Sequence, residues 1–82
     1  MYEAKYVIVE GSAIVFSPAI QHKDMVGYNQ KCEGAGFVTF HYKEGDDDHI
    51  YAKCYGESIS LGIKSRPEED SKIVTRQITN PF

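Results

Sequence analysis

The sequence predicts an α+β domain in which about five antiparallel strands form a twisted sheet or a partly open barrel. Three observations support this class. Runs of β-branched and aromatic residues alternate with turn-forming residues along most of the chain. The first two predicted strands are apolar on both faces near their turn. Helix-start signals precede the last predicted element. The predicted order is strand, strand, short helix, three strands and a C-terminal helix.

The first predicted hairpin lies in residues 2–16, on either side of Glu10 and Gly11. Gly11 can adopt the positive φ of a two-residue hairpin turn. With that turn Val9 faces Ser12 and Ile8 faces Ala13, and the same register continues along both strands. Both faces are then apolar near the turn, which a sheet covered on both sides or a small closed barrel would bury. One face carries Tyr6, Ile8, Ala13 and Val15, and the other carries Val7, Val9 and Ile14.

A short helix is predicted after the second strand. Ser17 is a favoured helix N-cap, and Pro18 suits the first helical position. Residues 19–26 could then form a short helix that ends at Gly27. An irregular segment crossing the sheet is the alternative, because the apolar positions are only weakly periodic. Residues 28–33 are polar and predict a connection.

The middle of the chain holds most of the apolar residues and predicts three successive antiparallel strands. The third has the clearest alternation, with Ile59, Leu61 and Ile63 facing one way. We expect these side chains, together with Val38 and Phe40, to lie buried beneath helical cover. The three predicted strands cover residues 37–42, 49–55 and 58–63.

The last predicted element is a helix over residues 67–79. Pro67 suits its first turn, and acidic residues near its start complement the helix dipole. Apolar residues spaced four apart give it one apolar stripe, and the Asn-Pro pair at 80–81 ends it. A strand over residues 72–78 is the rival, because that segment contains β-branched residues. The capping signals favour the helix. The acidic residues are Glu68, Glu69 and Asp70.

Composition and length limit the class of protein. Eighty-two residues predict one domain, residues 1–82, and the net charge of −3 is spread over both halves. Neither half is basic, so the charge pattern of a duplex-binding protein is absent and a nucleic-acid partner is disfavoured. No signal-peptide pattern and no membrane span is recognisable. With only two cysteines, we expect a soluble, cytoplasmic protein with reduced thiols, and a Cys32–Cys54 disulfide is the alternative.

Residues 33–40 read Glu-Gly-Ala-Gly-Phe-Val-Thr-Phe. This string resembles the RNP1 segment of the RNA-recognition motif family, in which a basic residue, a glycine and three aromatic positions recur in fixed order. The resemblance implies a single-stranded RNA-binding sheet on which Phe37 stacks a base. Glu33 replaces the basic residue that would meet phosphate, and Ala35 replaces the first stacking aromatic. A hydrophobic strand that begins at glycine is the interpretation we favour.

The sequence offers weak metal-site candidates. Asp46, Asp47 and Asp48 precede His49 in a predicted loop, where carboxylates can bind Ca²⁺ or Mg²⁺. The ligand spacing of an EF-hand is absent, which favours a solvated loop. The histidines and cysteines also lack the paired spacing of a zinc site. We therefore expect no metal and no cofactor.

The tyrosines indicate a binding surface. Tyr51 and Tyr55 alternate with Lys53 on one side of a predicted strand, and tyrosine is enriched at protein interfaces. This face is a candidate surface for a protein partner or for self-association. His22 and Lys23 are further candidates, because they form a polar cluster after a capped turn.

These observations favour a non-enzymatic protein-interaction or accessory domain, because no nucleophile with a base and no phosphate-binding loop is recognisable. Two alternatives stay open. One is a single-stranded RNA-binding module that uses Phe37. The other is a small-molecule-binding or enzymatic domain whose pocket brings His22, His41 or His49 near a carboxylate.

Overall fold

The computed structural model describes residues 3–45 and 49–79. The predicted α+β class is confirmed, with a C-terminal helix on an antiparallel sheet. In chain order the elements are β1 Glu3–Val9, β2 Ser12–Phe16, a 3₁₀ helix His22–Met25, β3 Cys32–Lys43, β4 His49–Tyr55, β5 Glu57–Ser58, β6 Ile63–Lys64 and α1 Pro67–Thr79. Four strands form the main sheet in the order β2-β1-β3-β4, and β5 pairs with β6 in a second, small sheet. The predicted order and strand count therefore match only roughly.

The first hairpin has the predicted register. Val9 pairs with Ser12 and Ile8 with Ala13, and the pairing continues in step to the far end of β2. Glu10 and Gly11 both have positive φ, at 51° and 84°, as a two-residue hairpin turn of this type requires. The local turn chemistry thus determines which side chains of β1 face each side of the sheet.

Both faces of the main sheet are covered, as the apolar hairpin predicts. On one face Tyr6, Ile8 and Val38 pack with Val74 of α1. On the other face a second cluster, centred on Val7 and Ala35, lies beneath the 3₁₀ segment and the β5–β6 hairpin and not beneath an α-helix. That cluster also contains Val9 and Phe16, with Ile14, Met25, Val26, Cys32, Leu61 and Ile63 packed against it.

The prediction of a third central strand over residues 58–63 is wrong. Residues 57–64 instead form a tight hairpin in which β5 pairs only with β6. The Ser58 hydroxyl accepts a hydrogen bond from the Leu61 amide at 3.2 Å, and Gly62 has a positive φ of 66°. These features form a turn, although the alternating apolar residues of this segment had predicted an extended strand.

The turn changes which side chains are buried. Ile59 is 89% exposed, contrary to the prediction that it lies beneath helical cover. Leu61 and Ile63 are partly buried, but they pack on the face opposite α1. Val38 is fully buried and Phe40 partly buried on the helix side, as predicted.

The predicted short helix over residues 19–26 is also only partly correct. The Ala19 amide bonds to the Ser17 hydroxyl at 3.2 Å, and the Ile20 amide bonds to the Ser17 carbonyl at 3.0 Å. Ser17 therefore caps a turn, and the helical part shrinks to the 3₁₀ segment His22–Met25. The alternative of an irregular crossing segment describes this region better.

α1 confirms the predicted C-terminal helix and excludes the rival strand. It begins at Pro67, with three acidic residues in its first turn. The predicted stop at Asn80 and Pro81 lies outside the described residues. Within residues 3–45 and 49–79, no helix is long and apolar enough to cross a membrane.

α1 also bonds to both edge strands of the main sheet. Ser71 and Thr75, one turn apart, accept hydrogen bonds from the Cys54 and Ala52 amides of β4, each at 2.9 Å. On the other edge the Gln77 side chain accepts from the Ala13 amide at 2.6 Å and donates to the Ala13 carbonyl at 3.0 Å. These bonds occupy backbone groups that an edge strand would otherwise expose.

The two cysteines are both free thiols. Cys54 belongs to the cluster beneath α1, whereas Cys32 packs against the cluster on the opposite face. The sheet therefore separates them, and the alternative of a Cys32–Cys54 disulfide is excluded.

Candidate functional site

A groove opens on the face of the main sheet opposite α1. It runs between the 3₁₀ segment and the β5–β6 hairpin and has a volume of about 550 Å³. Pockets of this size are in the range that holds small ligands or anchoring side chains. We call it the His22 groove. The lining residues used below are Lys5, His22, Phe37, Gly56, Glu57, Ile59 and Ser60.

His22 forms the inner part of the groove. It is only 4% exposed, although the sequence predicts that it forms a polar cluster with Lys23 as a candidate partner surface. Its ring makes edge-on contacts with Phe16 and Phe37, at centroid distances of 5.5 and 5.8 Å. Its Nε2 lies 2.7 Å from the Gly36 carbonyl oxygen. His22 is thus a buried, oriented ring and not a mobile surface side chain.

The bond to Gly36 determines the tautomer of His22. A carbonyl oxygen can only accept, so Nε2 must carry the proton and donate. In the neutral ring Nδ1 is then an acceptor. Within residues 3–45 and 49–79 Nδ1 has no hydrogen-bond partner, and it is not sealed from solvent. The largely buried His22 side chain therefore keeps one unpaired acceptor, and this residue lines the groove.

Hydrogen bonds hold the two walls of the groove together. The Lys23 amide donates to the Ser60 hydroxyl at 3.3 Å, and Ser60 also contacts the buried Ser58 hydroxyl at 3.3 Å. On the opposite side Lys5 Nζ donates to the Ile20 carbonyl at 3.0 Å. The Lys23–Ser60 bond joins the 3₁₀ segment to the β5–β6 hairpin, and the Lys5–Ile20 bond joins β1 to the loop that precedes the 3₁₀ segment.

The structure places Tyr51, Lys53 and Tyr55 on one face, opposite α1. Tyr51 stacks on His41 across the strand pair, with ring centroids 5.3 Å apart and planes at 24°. Lys53 Nζ lies 6.0 Å from the Tyr51 ring centre. Tyr55 is 39% exposed. We call these three residues, with His41, the β4 aromatic face.

Phe37 joins the two surfaces. Its ring lies edge-on to His22 in the groove and stacks on Tyr55, at 6.0 Å with an interplanar angle of 26°. Its strand partner on β1 is Lys5, at the other side of the groove. The His22 groove and the β4 aromatic face therefore form one continuous surface, with Lys23 at the rim of the groove.

Packing accounts for the RNP1-like string. A Cβ on Gly34 would overlap the carboxylate of Asp70, and a Cβ on Gly36 would overlap the Tyr55 carbonyl. Ala35 is fully buried on the opposite face. Glu33 accepts a hydrogen bond from the Gly11 amide at 2.8 Å. The two glycines are thus needed because Asp70 and the Tyr55 carbonyl approach the β3 backbone closely. This requirement holds whichever ligand the sheet binds.

Asp70 is a polar residue that the sequence did not single out as central. It is fully buried and accepts from the Tyr6 hydroxyl at 2.6 Å and from the Arg66 amide at 2.9 Å. The Arg66 guanidinium pairs with its other carboxylate oxygen at 2.9 Å. Burial, followed by the hydrogen bond to Asp70, raises the pKa of Tyr6 above its ordinary value. This cluster lies beneath α1 and faces the core, not the groove.

The metal candidates that the structure describes do not form a cluster. The acidic run Asp46, Asp47 and Asp48 lies outside the described residues. Among residues 3–45 and 49–79, no group of three or more histidine, cysteine or acidic residues is close enough to hold a metal ion. His22 bonds to a backbone carbonyl and His41 to the Thr39 hydroxyl, at 2.7 Å each.

Comparison with family models, with curated proteins and with solved structures gave no match to the chain.

Proposed function

We propose that the protein is a non-enzymatic protein-interaction module whose recognition site is the His22 groove together with the β4 aromatic face. The partner inserts an apolar or aromatic side chain into the groove and covers the adjoining face. The observation that carries this proposal is the continuity of the two surfaces through the Phe37–Tyr55 stack. An open, extended surface of this kind suits a polypeptide better than an enclosed small molecule.

The exposure of Ile59 supports the same proposal. This side chain lines the groove and is 89% exposed, although the Ser58 and Gly62 contacts hold its loop in one conformation. A fixed, exposed apolar side chain beside an aromatic pocket is typical of a binding surface. Anchoring side chains that enter such pockets supply most of the affinity in protein interfaces.

The proposal is tested by selecting displayed random peptides against the immobilised protein. We expect selected peptides that share an apolar or aromatic anchor and whose binding weakens at least tenfold in Ile59→Asp. Ile59 is too exposed for this change to unfold the chain. Tyr28→Asp is the matched control, because Tyr28 is fully exposed and does not line the groove. Equal binding by both variants, or failure to select any peptide, would contradict the proposal.

Single-stranded RNA binding is the second candidate. The parallel rings of Phe37 and Tyr55 are the observation that favours it, because aromatic rings on a sheet can stack bases. Lys5, opposite Phe37, and Lys53 supply nearby positive charge. Phosphate binding predicts affinity for a mixed single-stranded RNA pool that falls steeply with salt. The absence of binding at low salt would exclude this candidate.

A further inference from the structure

We propose that His22 Nδ1 selects the anchoring side chain of the partner, and that this anchor is a tryptophan whose indole N–H donates to Nδ1. This inference rests on the proposed function, since it specifies what enters the same groove. It derives from the unpaired Nδ1 acceptor of His22 and not from the β4 aromatic face.

The acceptor is built into the fold. The Gly36 carbonyl holds the proton on Nε2, at 2.7 Å, and the rings of Phe16 and Phe37 hold the imidazole plane. His22 is 96% removed from solvent, since its exposure is 4%. His22 lines the groove, and in its neutral ring Nδ1 is an unpaired acceptor that is not sealed from solvent. We therefore place its lone pair on the groove side, where only a donor can satisfy it.

An unpaired acceptor in such a groove discriminates between ligands. A purely apolar side chain would displace water from Nδ1 without replacing its hydrogen bond, which costs affinity. A ligand that donates recovers that bond. Sites that hydrogen-bond one ligand group reject analogues lacking it far more strongly than apolar pockets reject a missing methylene.

The neighbouring side chains favour a flat, uncharged donor. Phe37, Ile59 and Gly56 give the groove mostly apolar walls, which disfavour a lysine ammonium. Of its two charged lining residues, Glu57 is exposed to solvent, and Lys5 would repel a second ammonium. Indole has a single N–H donor and no acceptor, so it matches Nδ1 and leaves no polar atom of its own unpaired. A phenol would also bring lone pairs that need donors. Tryptophan thus fits the groove best.

The test compares indole with 1-methylindole by nuclear magnetic resonance titration of the wild-type protein. The two compounds have the same ring, but the methyl compound cannot donate. We expect indole to bind at least about tenfold more tightly. We also expect indole alone to shift the ¹⁵N resonance of His22 Nδ1. Since the chain has no tryptophan, indole fluorescence provides an independent affinity measurement.

The outcomes separate the two proposals. Equal affinities, with Phe37 and Ile59 perturbed but Nδ1 unchanged, would overturn the donor inference and leave groove binding intact. If neither compound perturbs Phe37 or Ile59, and no peptide is selected, both proposals fail. His22→Phe keeps a ring but removes the acceptor, and should bind both compounds equally. If that variant does not fold, the comparison of the two compounds on the wild-type protein still tests whether the groove requires a hydrogen-bond donor.

Discussion

At the residue scale, Asp70 is the polar centre of the helix–sheet contact. Its two carboxylate oxygens bond to Tyr6, to the Arg66 amide and to the Arg66 guanidinium. The sequence predicts for Asp70 only the role of complementing the helix dipole. The amphipathic pattern of a helix does not show which of several acidic residues faces the core. The signal that could have located it is the glycine at position 34, which leaves space for its carboxylate.

Asp70→Asn should lower the free energy of unfolding by about 2–3 kcal/mol, because a buried carboxylate loses its charge-assisted bonds. The measurement is urea denaturation at neutral pH. Glu69→Gln is the matched control: Glu69 also pairs with Arg66, at 3.0 Å, but its side chain is 70% exposed. That variant should change stability by no more than about 0.5 kcal/mol. Similar losses in both variants would contradict the central role of Asp70.

Gly34→Ala should destabilise the fold by about 1–3 kcal/mol, because the added Cβ overlaps the Asp70 carboxylate and α1 must shift. Thermal unfolding reports the loss as a lower midpoint. Gly27→Ala is the control, since the atoms nearest to its added Cβ belong to the flexible Gln30 side chain. If the Gly34 variant is as stable as the Gly27 variant, α1 does not sit as closely on β3 as described.

Alkaline pH should destabilise the protein through two buried groups. Burial raises the pKa of the Cys54 thiol from 9.0 to about 11. Burial and Asp70 also raise the pKa of Tyr6 above 10.0. The unfolded chain therefore loses these protons at lower pH than the folded chain, so stability is complete below pH 9 and falls as pH rises. Urea midpoints measured from pH 8 to pH 11 should decrease, and the decrease should be smaller in Cys54→Ala. Urea midpoints that do not change between pH 8 and pH 11 would show that folding raises the pKa of neither group.

At the element scale, α1 protects the edges of the sheet. The hydroxyls of Ser71 and Thr75 bond to outward-facing amides of β4. We expect Ser71→Ala and Thr75→Val each to cost about 1 kcal/mol, since each leaves an amide without its acceptor. Hydrogen exchange of the Ala52 and Cys54 amides should accelerate in the matching variant. Thr79→Val, whose hydroxyl bonds only within α1, should leave both rates unchanged.

The elements that sequence reasoning placed correctly are those with local determinants. The β1–β2 register follows from the turn at Glu10 and Gly11, and α1 follows from Pro67 and the acids behind it. The error at residues 58–63 has the opposite origin. The apolar residues there alternate as in a strand. Ser58, however, accepts hydrogen bonds from the Leu61 and Gly62 amides and so closes a turn, which the alternation does not reveal.

At the scale of the whole molecule, the candidate site could be predicted only in part. Tyr51, Lys53 and Tyr55 share a face because residues two apart on a strand point the same way. The His22 groove, by contrast, gathers residues from four separate stretches of chain, including Lys5, Phe37 and Ile59. No spacing in the sequence links these positions. Lys5 and Phe37 meet because β1 pairs with β3, and the other residues join them because the 3₁₀ segment and the β5–β6 hairpin pack over that part of the sheet.

The most direct test of the binding site is an amide chemical-shift map of the ¹⁵N-labelled protein titrated with a selected tryptophan-containing peptide. The largest shifts should fall on His22, Phe37, Tyr55 and Ile59, around the groove and the adjoining face. Shifts concentrated on Lys72 and Thr75, which line the cleft between β4 and α1, would contradict this assignment.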